Sequence, residues 1–311
     1  MGEWQRCSPC QRTLCSAVDD ADSEHVFHAV NSPPPSVPEL SDLFDFDCNL
    51  THADLASDVD TLMRAAAAVG VTQMLVPGAT LQESTEAIEL CRQHPTTLFP
   101  TAGVHPYNAH ATPFDAELEQ LRSMAALDEV RAVGECGLDY SPGFPPPPGQ
   151  KAWFAIQLDL ACALRKPLFL HERLAHADFM ALIHECKRKH DGYFPPAVVH
   201  CFTGNEAELQ EYLRHDFYIG VTGFVCKKDR GAELREIVRH VPLDKLVIET
   251  DAPYMGFPKC RQAETSNRKK QSPNVPSALP LVVHAIAQAV GRSPVEIAHA
   301  TTANARRFLR I

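Results

Sequence analysis

No stretch of this 311-residue chain approaches the roughly 20 consecutive apolar residues that a membrane-crossing helix needs. The N-terminus also lacks the apolar central run of a secretory signal, and Glu3, Asp19, Asp20, Asp22 and Glu24 count against a mitochondrial transit segment. Basic charge is in short supply: 29 Lys and Arg face 39 Asp and Glu, a formal net charge of −10. That balance argues against a surface made to coat nucleic acid, so a polyanionic substrate must be drawn in by a local basic rim or by bound cations. Neither G-x-G-x-x-G nor a Walker A sequence is present, which removes the two common nucleotide-cradling loops. A disulfide framework is not legible either. The 11 cysteines fall mostly inside apolar segments, which fits reduced thiols and a cytoplasmic, or else nuclear, location.

What the chain does have is 45% hydrophobic and 22% charged residues, ordinary values for a globular protein with one large core. Residues 1–40 read as a disordered extension: they are polar and end in the proline-rich run Ser32 to Pro38. Cys7 and Cys10 have zinc-ligand spacing and Cys15 follows, but no fourth ligand stands at a suitable distance, so a flexible tail is expected rather than a zinc knuckle. Residues 41–311 change character. Short apolar runs alternate with helix-length amphipathic stretches, the pattern of repeated βα units. Eight strands are predicted, at Leu43–Asn49, Thr72–Pro77, Leu98–Val104, Arg131–Gly134, Pro167–His171, Ala197–His200, Tyr218–Thr222 and Leu246–Thr250. Helices are predicted at Leu55–Ala68, Gln150–Leu164, Ala177–Lys189, Glu206–Arg214 and Ala232–His240, with two more, Pro276–Val290 and Val295–Leu309, after the last strand. With no nucleotide loop to favour an open sheet, a single (β/α)8 TIM barrel is the expectation.

Barrel enzymes place their chemistry where strands end. Strand one ends Asp45-Phe46-Asp47-Cys48-Asn49, and strand four runs into Glu135 and Asp139. Strand five ends in His171, strand six in His200, and strand eight in Glu249-Thr250-Asp251. A histidine or a carboxylate at one strand end is an everyday structural residue. Two imidazoles and several carboxylates meeting at one rim are not, because gathering them without a cation costs several kcal/mol, to order of magnitude, in desolvation and repulsion. A divalent metal resolves that cost.

The strings Ala102 to Pro106, Gly134 to Asp139, Val199 to Gly204, Tyr218 to Gly223 and Ile248 to Tyr254 resemble, in order and at family spacing, those of the TatD family of metal-dependent deoxyribonucleases. The resemblance covers about residues 43 to 311. It implies a hydrolase barrel of the amidohydrolase kind, one or two divalent cations, and hydrolysis of DNA as a 3′-to-5′ exonuclease on single strands, with RNA as a further substrate. By position it makes Glu135, His171, His200 and Asp251 metal ligands. Many members begin with Asp-x-His-x-His; here Asp47 and Asn49 take the histidine positions, as in a branch that lacks that pair and keeps an Asn-Leu-Thr string. Oxygen donors in place of imidazole shift the expected ion from Zn²⁺ toward Mg²⁺ or Mn²⁺, and favour one well-held ion over two. The chain also has Pro273-Asn274-Val275-Pro276 where the family shows Arg-Asn-Glu-Pro.

The expected mechanism is metal-assisted attack of water on phosphorus, with Glu135 and Asp251 catalytic and Asp251 taking the proton. His105 and Arg173 lie beyond strands three and five, where they can hold phosphate oxygens. Lys227, Lys228 and Arg230 follow strand seven, and Lys259, Arg261, Arg268, Lys269 and Lys270 follow strand eight; of these Lys228 is assigned to substrate. Phe202, Phe224 and Tyr254 are candidates for stacking on bases. The expected partner is therefore a nucleic acid, with no membrane and no obligate protein partner called for. Two alternatives stay open: an ester or amide hydrolase such as an aminoacyl-tRNA deacylase, and a non-catalytic scaffold that binds nucleic acid.

Overall fold

The first strand opens directly onto the barrel, with its hydrophobic side chains alternating between two apolar layers. In the computed structural model, which describes residues 40–261 and 273–311, Leu43 faces the helix layer while Phe44 and Phe46 face the interior. Nearly all of the extension expected at residues 1–40, with Cys7, Cys10 and Cys15, lies outside the described residues, as do Arg268, Lys269 and Lys270.

Eight parallel strands follow in sequence order: β1 (Leu43–Asp45), β2 (Val71–Val76), β3 (Leu98–Ala102), β4 (Ala132–Asp139), β5 (Leu168–Arg173), β6 (Ala197–Val199), β7 (Tyr218–Val221) and β8 (Leu246–Ile248). The barrel closes when β8 returns to β1. Phe46 N–H donates to the Ile248 carbonyl at 3.0 Å, Asp251 N–H to Asp47 at 2.8 Å and Asn49 N–H to Ala252 at 2.8 Å. Asp45, which period-two alternation would place with Asp47 and Asn49, serves this seam instead. Its fully buried carboxylate accepts from Thr250 N–H at 2.7 Å and Thr250 Oγ1 at 2.6 Å.

Helices α1 (Val59–Ala68), α2 (Leu81–Gln93), α3 (Asp115–Ala125), α4 (Pro147–Leu164), α5 (His176–Lys189), α6 (Glu206–Arg214) and α7 (Ala232–Ile237) cross between the strands, followed by α8 (Leu279–Val290) and α9 (Pro294–Leu309). Their starts are written in the sequence: Thr80, Asn205 and Ser293 cap α2, α6 and α9 by accepting from the backbone N–H three residues on. Interior side chains from every strand, among them Phe44, Phe46, Phe99, Phe169, Val198 and Tyr218, form a plug that Phe308 of α9 seals from one end. Thr302 and Arg306 of α9 tie that floor to the start of β1, Arg306 through a two-pronged pair with Asp42 at 2.8 and 2.6 Å. The plug leaves the opposite end, where the strands finish, for polar side chains.

The predicted strands all exist, with shifted ends. β1 stops at Asp45 because the chain bends to form the seam, and β4 continues past Gly134 to Asp139. A Cβ on Gly134, whose φ is +139°, would fall 2.2 Å from the Phe169 carbonyl oxygen. The glycine is thus what lets β4 lie against β5, not a strand break.

Candidate metal centre

β4 delivers Glu135 to the mouth of the barrel, and its Oε1 is the point on which three imidazoles converge. His200 Nε2, just after β6, lies 2.7 Å away, His171 Nδ1 on β5 3.1 Å, and His105 Nε2, after β3, 3.3 Å. His105 is oriented by its other nitrogen, which accepts from Tyr107 N–H at 3.1 Å, so its Nε2 carries the proton that faces Glu135. His171 is oriented by Asp139, whose Oδ2 stands 3.0 Å from Nε2. On the far side of His200, Nδ1 meets Asp47 Oδ2 at 3.1 Å and Glu249 Oε1 at 3.7 Å. Asn49 Nδ2 donates to Asp251 Oδ1 at 3.2 Å, and Asp251 sits in the left-handed backbone region with φ +54°.

Six sequence-assigned ligands, Asp47, Asn49, Glu135, His171, His200 and Asp251, therefore come together. So does His105, which lies against Glu135 inside the cluster. Arg173 and Lys228 are exposed, Arg173 at the end of β5 on the same rim and Lys228 beyond β7. Lys227 and Arg230 instead lean on the Phe224 ring, at 5.0 and 5.8 Å from its centroid. Phe202 is buried against Tyr212 and presents no face for stacking, whereas Tyr254 is exposed beside His52.

Two strand-end carboxylates were left without a role in the sequence. Asp139 fixes His171, and Glu249 enters the cluster fully buried. A signal for Glu249 existed: Val247 faces the barrel interior, and period two carries that face to residues 249 and 251. Room for it comes from β7, where a Cβ on Gly220 would stand 2.8 Å from Glu249 Oε2.

The electrostatics are those of an unbalanced site. Burial alone would raise Glu135, but the charge of His200, then that of His105, holds its carboxyl well below the usual range. Burial lowers His200, yet Glu135 and Asp47 outweigh it and keep this imidazole protonated well above its ordinary value. Burial, then the neighbouring Asp47 charge, pushes Asp251 well up, and burial raises Asp47 to about 7 against the pull of His200. Burial also lowers His105. Among the described residues Asp47 Oδ2, His200 Nδ1 and Glu249 Oε2 are buried without a hydrogen-bond partner. Asp47 Oδ2 and His200 Nδ1 are close enough to attract but not aligned as donor and acceptor. Unpaired buried oxygen and nitrogen of this kind carry a desolvation cost of about 1–3 kcal/mol each. A divalent cation among these carboxylates and imidazoles would give such atoms a partner, and ligand atoms within 4.8 Å of one another occur in two adjoining sets, Asp47–His200–Glu249 and His105–Glu135–His171. The donor set fits a metal.

Known proteins place the same barrel in one family. The family model of TatD related DNases matches residues 44–310. A 3′-5′ ssDNA/RNA exonuclease TatD from Citrobacter rodentium is 40% identical over 269 residues, 86% of this chain and 98% of that protein. Its Escherichia coli K12 counterpart of the same name is 39% identical over 86% of this chain and 99% of that protein. Among solved structures, the TatD homologue YJJV from Escherichia coli K12 superposes with a TM-score of 0.76 at 26% identity, covering 88% of this chain and 99% of that one. A TatD family hydrolase from Entamoeba histolytica shares the fold at TM-score 0.75 and 24% identity, over 86% and 98%.

Proposed function

From the premise that this chain belongs to the family of TatD-related DNases, we propose that it is a metal-dependent nuclease that hydrolyses phosphodiester bonds of single-stranded DNA, and of RNA, from the 3′ end. One observation carries the reading most: a buried Glu135 oxygen on which His105, His171 and His200 converge, at the end of a barrel whose other end is sealed.

Glu135, His171, His200, Asp251, Asp47 and Asn49 would hold the ion, with Glu249 as a further carboxylate beside Asp47 and His200. When bound, a divalent cation supplies a Lewis acid for a phosphate oxygen and an acidified water. Oxygen donors outnumber the two imidazoles, which supports Mg²⁺, with Mn²⁺ and Zn²⁺ as the competitors to be tested. Asp251, a carboxylate just past β8 whose Oδ1 is held by Asn49, takes the proton from the attacking water. His105 and Asp139 orient Glu135 and His171. Arg173 offers a guanidinium to phosphate, and Lys228 adds positive potential farther along the path. The formal charge of −10 supports a nuclease that grips its substrate locally rather than one that coats it, and the free cysteines support a cytoplasmic location.

The test is hydrolysis of single-stranded oligonucleotides labelled at the 3′ or the 5′ end, with Mg²⁺, Mn²⁺ or Zn²⁺. Stepwise release from the 3′ end, lost in Glu135→Ala, is expected. Turnover that persists in Glu135→Ala rejects the site. Release of the amino acid from aminoacyl-tRNA without cleavage of the oligonucleotide establishes a deacylase instead, and oligonucleotide binding without metal-stimulated turnover establishes a scaffold.

A further inference from the structure

At the opposite end of the barrel, the outer helices α4 and α5 bring four ligand-type side chains together. Asp159 and Cys162 stand three residues apart on α4, and Cys186 and His190 four apart at the end of α5, so each pair shares one helix face. Cys162 Sγ lies 3.5 Å from Cys186 Sγ, and ligand atoms of Cys162, Cys186 and His190 are all within 4.8 Å of one another. Asp159 Oδ1 is 3.0 Å from His190 Nε2 and 3.9 Å from Cys186 Sγ.

We propose that Cys162, Cys186, His190 and Asp159 form a second metal site, one that takes Zn²⁺ and clamps α4 to α5. In a tetrahedron with Zn–S bonds of about 2.3 Å two sulfurs lie about 3.8 Å apart, close to the separation already present. Thiolate and imidazole donors select zinc over the hard ions suited to the barrel mouth. Charge balances as well. Two thiolates and a carboxylate oppose the two charges of the ion, and the Lys189 ammonium, paired with Asp159, offsets the third. Cys162 and Cys186 are buried at 4% and 5% exposure, while the His190 and Asp159 side chains are 26% and 31% exposed, which leaves an entry path. A disulfide between Cys162 and Cys186, the rival use of the pair, gives no role to His190 or Asp159.

Reduced full-length protein titrated with Co²⁺ is expected to develop a sulfur-to-cobalt charge-transfer absorption that saturates at one ion per chain. The band disappears in Cys162→Ser and Cys186→Ser. It weakens with a roughly 10–100-fold loss of affinity in His190→Gln and Asp159→Asn, half-exposed positions whose variants keep the fold even where the serine variants do not. It persists in His200→Gln, which alters only the barrel mouth. A wild-type protein with no such band overturns the proposal, as does a band that survives Cys162→Ser. So does protein prepared without reductant that is lighter by two hydrogens through a Cys162–Cys186 bond and that, once reduced, binds no cobalt.

Discussion

His200 stands between two carboxylates of opposite habit: its Nε2 is 2.7 Å from Glu135 Oε1, which is ionised, and its Nδ1 is 3.1 Å from Asp47 Oδ2, which burial raises to about 7. One imidazole thereby joins β4, β6 and the end of β1 across the barrel.

Metal uptake should displace the His200 proton. The folded-state value of His200 is raised well above the ordinary one near 6.5, so the metal-free protein is protonated there at neutral pH. The stability that this proton contributes is fully present below about 6.5 and is lost as pH rises through the folded-state value. A cation competes with it, so metal affinity rises with pH through that same window, about tenfold per pH unit per proton released. Calorimetry in two buffers of different ionisation enthalpy checks this; proton-neutral binding at pH 7 refutes it.

Gly220→Ala should disturb the site without touching a ligand. The new methyl group stands 2.8 Å from Oε2 of the fully buried Glu249 carboxylate, which must shift to admit it. Overpacking of this kind costs about 1–3 kcal/mol. Metal affinity is expected to fall roughly 10–100-fold as Glu249 is displaced. Wild-type metal affinity in a folded Gly220→Ala protein would show that Glu249 has no part in holding the ion.

Thr250→Val tests the seam. It removes the hydroxyl that donates to Asp45 at 2.6 Å and keeps the shape, leaving a fully buried carboxylate short of a donor. The expected loss is about 1–3 kcal/mol. Thermal unfolding should fall by about 2–4 °C for each kcal/mol, with KM for oligonucleotide nearly unchanged.

Lys228→Ala should act on capture alone. Lys228 is exposed beyond β7, apart from the ligand cluster. KM is expected to rise with kcat within about twofold, and the salt dependence of binding to single strands to flatten by about 0.7 in its log–log slope, the loss of one phosphate contact. A kcat effect larger than the KM effect would move Lys228 into the chemistry.

The barrel was legible because its strands begin where apolar runs begin: Leu43, Leu98, Ala197, Tyr218 and Leu246 open both the predicted and the observed strands. Ends were harder. The fourth strand was expected to stop at Gly134, yet β4 passes through Gly134 and Gly137 because close approach to β5 requires residues without Cβ. The ligands at Glu135, His171, His200 and Asp251 showed through strand ends and family strings. Asp139 and Glu249 showed only as strand-end carboxylates without a role, since their roles depend on which neighbour each strand faces: Asp139 acts only because Gly137 of β4 is in register with His171 of β5. Cys162 and Cys186 were visible only as apolar thiols, because nothing in one helix announces the other beside it.

The closing seam also sets the order in which the molecule can mature. Asp45 and Thr250 are 205 positions apart, and Thr302 reaches back 260 positions to the Asp42 carbonyl. Loops of that length are closed late, after local βα units have already formed. A nascent chain therefore carries Asp47, Glu135 and His200 as unfinished halves of a site until β8 and α9 have been made. Hydrolytic competence is one of the last properties that synthesis confers.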